Sequence, residues 1–250
     1  MDKKLINIVK EVILNCLDIK KKYQNKNKKY YYDKNLKKEI KSDIDIKIEK
    51  LILNVLKKTN INILSEEKGF IKLNSISEKF WVLDPIDGTF NYIHNIGPSS
   101  ISLALIDNNQ PIFGIIGLYP EMKIVYGGKT INSYYNNKKI SVSNNSDTKK
   151  SVLFTGFPSR FSFKSKSFVL YKKLFSKFKK VRMIGSASYS IFNVAIGKAD
   201  YYYEDSIMIW DVAAALAILQ GAGGDFKIIK KNKSKLICVH AFNRKLKVIK

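Results

Sequence analysis

The segment of this chain best equipped for chemistry is Trp81-Val82-Leu83-Asp84-Pro85-Ile86-Asp87-Gly88-Thr89-Phe90-Asn91. A short apolar run reads as a buried strand that delivers Asp84 to its end. Pro85 cannot continue the strand as a ladder donor, so a turn is predicted to begin there, with Asp87 set down three residues after Asp84. Two carboxylates in one small volume resist joint ionisation. A hard divalent cation removes that cost and takes oxygen ligands readily, and Mg2+ is the natural occupant. Gly88 permits close backbone approach. Thr89 is a good helix N-cap, so the amides after it would form an anion site beside the metal. A metal pair next to a phosphate cradle is phosphatase architecture. Standing alone, the same pattern fits an ordinary Asp-Pro/Asp-Gly turn with solvated carboxylates equally well. Its company favours the metal: Glu66-Glu67 ends the preceding strand and Trp210-Asp211 opens a buried helix. Charged side chains at the edges of apolar elements need partners.

Other chemistries find little support. The chain has only two histidines, His94 and His240, in no zinc-type spacing, so a histidine base and a zinc site are both disfavoured. Gly185-Ser186-Ala187-Ser188 is not a Gly-x-Ser-x-Gly elbow. Gly127-Gly128-Lys129-Thr130 has the tail of a phosphate-binding P-loop, but the leading glycine would fall at Lys123.

The elements that must position these groups belong to a chain of 250 residues, long enough to enclose a sizeable core. Its composition, 45% hydrophobic and 26% charged, is that of an ordinary folded protein. The charge is not ordinary: 45 Lys+Arg against 21 Asp+Glu give +24. Such a field attracts nucleic acid, anionic lipid or phosphorylated metabolites. Only Arg160, Arg182 and Arg244 are arginines, however, and the planar guanidinium is the usual reader of phosphates and bases. The abundance of Lys, Asn, Ile and Tyr points to compositional bias. Cys16 and Cys238, far apart and outside any Cys-x-x-Cys, read as buried free thiols in a reducing cytoplasm. Lys10 and Glu11 interrupt any signal-peptide core, and no apolar run approaches the roughly 18 residues of a membrane span.

Leu5, Ile8, Val9, Val12, Ile13, Cys16 and Leu17 recur at helical spacing, as do Ile44, Ile48, Leu51, Ile52, Val55 and Leu56, with Asp45 in the first turn of the second helix. Residues 20–38, Lys- and Tyr-rich, read as a mobile surface loop. Residues 61–64 and 80–83 read as strands, and 101–106, 111–119 and 123–126 as an antiparallel meander. Residues 143–150 form the best internal joint, dividing a single catalytic domain, 1–250, into an α+β half, 1–148, and an α/β half, 149–250. In the second half 152–155 and 199–203 are predicted strands, and 168–178, 188–196 and the Ala-rich 212–219 are predicted helices.

Together these motifs resemble the inositol monophosphatase family of Mg2+-dependent, lithium-sensitive phosphatases. Asp84 to Asn91 is similar to its first signature, and Trp210-Asp211-Val212-Ala213-Ala214 with Gly223-Gly224 to its second. Gly185-Ser186-Ala187 and Ala199-Asp200-Tyr201-Tyr202-Tyr203-Glu204 also fit, so the likeness spans essentially the whole chain. The resemblance implies a layered α/β fold, an αβαβα sandwich with α+β layers, and two to three Mg2+ per site, for which Mn2+ can substitute. By the same resemblance, Glu66, Asp84 and the Ile86 carbonyl hold one ion, and Asp84, Asp87 and Asp211 a second. A third, weaker ion lies near Glu66. Asp45 and Thr89 orient the attacking water. Asp87, Gly88, Thr89, Ser186, Ala187, Glu204 and Asp211 contact the substrate, and Lys34 corresponds to a mobile-loop lysine. The partners implied are a small phosphorylated metabolite and a second copy of the chain, with no membrane.

Several residues also have plainer readings. Glu67 is expected to be a solvated neighbour, because adjacent strand side chains face opposite ways. Asp45 could simply complement a helix dipole, and Glu204 could be a surface ion-pair partner. Trp210 is expected to pack in the core, and the lysines of 168–180 to be the wet face of a helix. Gly221 stands where the family's second signature commonly has Glu, from which altered contacts around the site are expected. The short linker between Glu67 and Trp81 is expected to alter its rim. Asn91-Tyr92 favours the inositol branch, with inositol 1-phosphate the leading substrate ahead of histidinol phosphate, fructose 1,6-bisphosphate and 3′-phosphoadenosine 5′-phosphate. A rival of another class is an RNA or transcription-complex binding protein that uses its basic surface.

Overall fold

The computed structural model describes residues 2–24, 30–32, 40–74, 76–157, 161–164, 166–230 and 235–246. Helix α1 (Lys3–Gln24) leads to a small hairpin, β1 (Tyr30–Tyr32) and β2 (Ile40–Ser42), and then to α2 (Asp43–Leu56). Next come β3 (Asn62–Ser65), β4 (Gly69–Ile71), β5 (Phe80–Asp87), α3 (Thr89–His94), β6 (Ser99–Asp107), β7 (Gln110–Tyr119), β8 (Lys123–Gly128), β9 (Ile131–Tyr135) and β10 (Lys138–Lys139). The remainder holds β11 (Val152–Thr155), α4 (Lys166–Phe175), β12 (Lys180–Arg182), α5 (Ala187–Ala195), β13 (Tyr201–Ile207), α6 (Ile209–Gly221), β14 (Gly224–Lys230) and β15 (Ile237–Asn243). The large sheet is ordered β10-β9-β8-β7-β6-β5-β3-β4 and the smaller one β12-β11-β13-β15-β14.

Side-chain alternation along two strands explains the layering. In β5, Trp81 and Leu83 enter a core shared with α1 and α2, whereas Val82 enters one shared with α5 and α6. In β13, Tyr202 faces α5 and α6, while Tyr201 and Tyr203 face a third core with Tyr171 of α4. The layers therefore run helix, sheet, helix, sheet, helix, as the resemblance implied.

Helix α6 is the central element, with Val212 through Leu219 fully buried. Its alanines let a strand lie directly against it: a Cβ on Gly114 of β7 would stand 2.1 Å from the Ala214 carbonyl oxygen. Backbone cannot yield there as a flexible side chain can. Gly114→Ala is expected to destabilise the fold by about 1–3 kcal/mol, the usual cost of overpacking, and urea unfolding would register this as a lowered midpoint. A midpoint equal to the native one would contradict the close approach.

Three expectations change. Residues 20–38 are not simply a surface loop: α1 continues to Gln24 with Lys20 fully buried, and β1 pairs antiparallel with β2. Lys34 lies outside the described residues. β5 does not end at Pro85 but continues to Asp87, with the missing donor accommodated by a register shift against β6 between Asp84 and Asp87. The short Glu67–Trp81 linker, expected to alter the rim of the site, carries a short edge strand, β4. Gly221 faces the β8–β9 hairpin, where a Cβ would lie 2.6 Å from the Ile131 carbonyl oxygen. It is ten residues from Asp211 along α6, about 15 Å at the helical rise, so its departure from the family signature belongs to packing and leaves the contacts around the site alone. The two cysteines are buried and form no disulfide, and burial pushes the Cys16 thiol up to about 12. Among the described residues no helix is long and apolar enough to cross a membrane.

Candidate active site

The end of β5, the start of α2, the turn after β3 and the first turn of α6 supply the acidic residues, and the first turn of α5 supplies donors to them. Asp84 is 1% exposed, and its Oδ1 is buried with no hydrogen-bond partner among the described residues. Burial first, then the carboxylates of Glu66, Asp87 and Asp211, hold its carboxyl well above the usual range. Asp211 is raised the same way, by burial and then by Asp87, Glu66 and Glu204. Glu66 is raised by burial and then by Glu67 and Asp45, with a side-chain hydrogen bond to Asp84 and then Lys41 opposing. These groups are close enough to oppose one another's ionisation, as expected for carboxylates that share a cation.

Asp87 is met by donors from the C-terminal half. Ser186 Oγ donates to its Oδ2 at 2.6 Å, Ser188 N to the same oxygen at 2.8 Å, and Ala187 N to Oδ1 at 3.2 Å. Ser188 Oγ donates to it as well. A carboxylate at the N-terminus of α5 is favourably placed. Burial nonetheless dominates and leaves Asp87 raised, with these bonds pulling the other way. Ser186 and Ala187, expected on a substrate, here hold Asp87. Asp211, in the first turn of α6, accepts from Met208 N at 3.2 Å. As they stand, no three His, Cys, Asp or Glu side chains among the described residues are gathered tightly enough to hold an ion. Asp87 and Asp211 are each turned toward protein donors. The donor set is nonetheless entirely hard oxygen, and Asp84 Oδ1 is a buried acceptor without a donor, a combination that fits a hard divalent cation.

Gly88, not Thr89, is the N-cap of α3, in the left-handed region at φ 83°. A Cβ there would come within 3.0 Å of the Gly185 carbonyl oxygen. Thr89 instead turns its hydroxyl to the Ile86 carbonyl, at 2.7 Å, with Asp45 Oδ1 at 3.3 Å. Asp45 accepts from Ser42 N at 3.0 Å and from the Ser42 hydroxyl, which fixes it in the first turn of α2. Burial outweighs these bonds and lifts its carboxyl to about 6, while Lys20 opposes the rise. The Lys20 ammonium lies over the Tyr92 and Tyr119 rings, 4.9 and 5.4 Å from their centroids.

Glu204 is not a surface ion-pair partner. It is buried in β13, accepts from Tyr202 OH at 2.8 Å, and is raised to about 7 chiefly by burial. Glu67 is not solvated either, because Lys41 Nζ lies 2.8 Å from its Oε2. Trp210 packs, partly buried, against the α5–α6 core. Sequence reasoning missed Ser188, and it used Asn91 only to choose a branch. Asn91 Nδ2 donates to the carbonyls of Pro98 at 2.9 Å and Ile184 at 2.6 Å, which ties α3 to the loop that carries Ser186. Gly185, at φ 73° and tight against Asn91, was the available signal.

The sequence profile of the inositol monophosphatase family matches residues 1–246. A protein of Xylella fastidiosa called Nus factor SuhB is 31% identical over 235 residues, covering 91% of this chain and 84% of its own length. A fructose-1,6-bisphosphatase/inositol-1-monophosphatase of Aquifex aeolicus is 32% identical, with 91% of this chain and 86% of that protein covered. Among solved structures, the inositol monophosphatase of Anabaena superposes with a TM-score of 0.80 at 26% identity, covering 95% of this chain and 90% of that one. The extragenic suppressor protein SuhB of Bartonella henselae reaches 0.85 at 23% identity, covering 97% and 95%, a likeness of fold. By sequence and by fold, this chain belongs to the inositol monophosphatase family and is a phosphoric monoester hydrolase.

Proposed function

We propose that the chain, a single catalytic domain, hydrolyses inositol 1-phosphate to inositol and phosphate. The observation that carries the reading is the cluster of four buried carboxylates, Glu66, Asp84, Asp87 and Asp211, each held above its ordinary range, with the buried Asp84 Oδ1 lacking a donor. Glu66, Asp84 and the Ile86 carbonyl would hold one Mg2+, and Asp84, Asp87 and Asp211 another, with a third, weaker ion near Glu66. Mn2+ would be an acceptable substitute. Bound there, the cations supply charge neutralisation for the phosphoryl group and activation of water. The protein's own part is positioning. Asp45, kept as an acceptor by Ser42 and mostly ionised at neutral pH with a carboxyl near 6, takes the proton of the attacking water through the Thr89 hydroxyl, which accepts that proton and passes its own to Asp45 Oδ1, 3.3 Å away. Gly88 and Thr89 lie against the phosphate, and Glu204, Ser186 and Ala187 against the alcohol's hydroxyls. Ser186 and Ala187, bonded to Asp87 here, would have to release it for Asp87 to serve as a ligand and for them to meet the substrate. The family resemblance supports a cytoplasmic homodimer inhibited by lithium.

Phosphate release tests this over inositol 1-phosphate, fructose 1,6-bisphosphate, histidinol phosphate and 3′-phosphoadenosine 5′-phosphate, with Mg2+, with and without lithium. The expected result is highest kcat/KM on inositol 1-phosphate, loss with chelator and inhibition by lithium. No release from any ester with Mg2+ or Mn2+ would end the reading. A second reading, RNA or transcription-complex binding through the basic surface, is favoured by the +24 charge and by the name of the Xylella relative. It requires affinity that falls steeply with salt and survives loss of Asp84.

A further inference from the structure

Glu49 lies in α2 one turn beyond Asp45 and is 1% exposed. Its Oε1 accepts two hydrogen bonds, from Ser65 Oγ at 2.5 Å and from Lys68 N at 3.2 Å. Its Oε2 is buried and has no partner among the described residues. The two donors stand on either side of Glu66 and Glu67: Ser65 is the last residue of β3, and Lys68 precedes β4. On the opposite side, Glu66 N donates to the Leu83 carbonyl of β5 at 3.1 Å. The turn that presents Glu66 is therefore pinned at three points, two of them on one carboxylate oxygen. Oε2 makes no hydrogen bond among the described residues, so those this buried carboxylate does make go to the turn alone.

We infer that Glu49 is a positioning residue that fixes the Ser65–Lys68 turn around Glu66 and thereby sets the affinity of the site for its divalent cation. The inference rests on the proposed role of Glu66 as a ligand. Groups that orient metal ligands from behind typically change affinity by about 10- to 100-fold when removed. That range sets the effect expected of Glu49→Leu, which keeps the bulk and loses the acceptor. Glu49→Gln keeps an oxygen acceptor and should retain both bonds.

The test is a titration of the full chain with Mn2+, the free ion followed by electron paramagnetic resonance, so that binding is read without turnover. Near-UV circular dichroism checks the fold of each variant. Glu49→Leu is expected to weaken Mn2+ binding by about 10-fold or more, and Glu49→Gln to stay within about twofold of the native chain. Ser65→Ala removes the shorter bond without touching a charge and should weaken binding severalfold, which keeps the test decisive if Glu49→Leu does not fold. Native affinity in folded Glu49→Leu or in Ser65→Ala, or equal weakening in Glu49→Gln and Glu49→Leu, would overturn the inference. Glu66→Gln serves as the control. If it binds Mn2+ as the native chain does, the ligand role of Glu66 falls. If it binds weakly while Glu49→Leu does not, only the role of Glu49 falls.

Discussion

Asp84→Asn is expected to lower phosphate release by about a thousandfold or more, the upper end of what removing one electrostatic stabiliser costs, while the protein stays folded. Asn has nearly the volume of Asp and leaves the backbone pairing of residue 84 with Ser102 intact. What is lost is the negative charge proposed to be shared by two cations. The same change should raise the melting temperature of chelated protein at pH 8, because it removes one member of a buried set of carboxylates that repel one another. Activity and stability then move in opposite directions, as is common where a site is built from strained or repelling groups. Steady-state kinetics with Mg2+ and thermal unfolding in chelator would measure the two halves. A variant that kept even a tenth of the native rate would remove Asp84 from the centre of the mechanism.

Without divalent cations, stability should fall as pH rises from about 4 to beyond 7. A carboxyl whose folded pKa is raised binds its proton more tightly in the folded state than in the unfolded one, so each increment of pH costs the folded state more. The loss begins where unfolded carboxylates ionise, near 4. It continues through the folded values, about 6 for Asp45 and about 7 for Glu204, and further for Asp84, Glu66 and Asp211, which are held up by burial and by each other. This is the reverse of the usual paired carboxylate, which stabilises above its folded pKa. A cation that binds only the folded, ionised site restores stability by mass action, about 2.7 kcal/mol at a hundred times its Kd. Melting temperatures at pH 5, 6, 7 and 8 should therefore descend in chelator, and the gain on adding Mg2+ should be largest at pH 8. A chelated protein that gained stability with pH, or a Mg2+ gain independent of pH, would refute the linkage.

What was legible in the sequence had local causes. α6 was visible because an Ala-rich apolar run can only be a buried helix, β5 because four apolar residues end abruptly in charge, and the meander because Asp107-Asn108-Asn109 and Pro120-Glu121 interrupt alternating strands. What escaped depends on partners remote in the chain. β1 is three tyrosines and β2 is Ile-Lys-Ser, each too short to show a periodic signal, and they pair across residues 33–39. The β14–β15 hairpin was not read at all, its strands lying on either side of a run of lysines. The Thr89 hydroxyl was assigned to capping because its residue type suggests that role, but the positive φ of Gly88 moves the cap back one residue and frees Thr89 for Ile86 and Asp45. Ser188 reaches Asp87 across a hundred residues, and Lys41 reaches Glu67 from another hairpin, contacts that no local spacing encodes.

The alternation of Trp81, Val82 and Leu83 between two cores has a bearing on how this catalyst can vary. β5 works as a ruler with two-residue graduations: one residue gained or lost within it would exchange its two faces and aim Asp84 at the wrong layer. Changes of length should be better tolerated along 144–146, which carries no strand or helix, than along that ruler.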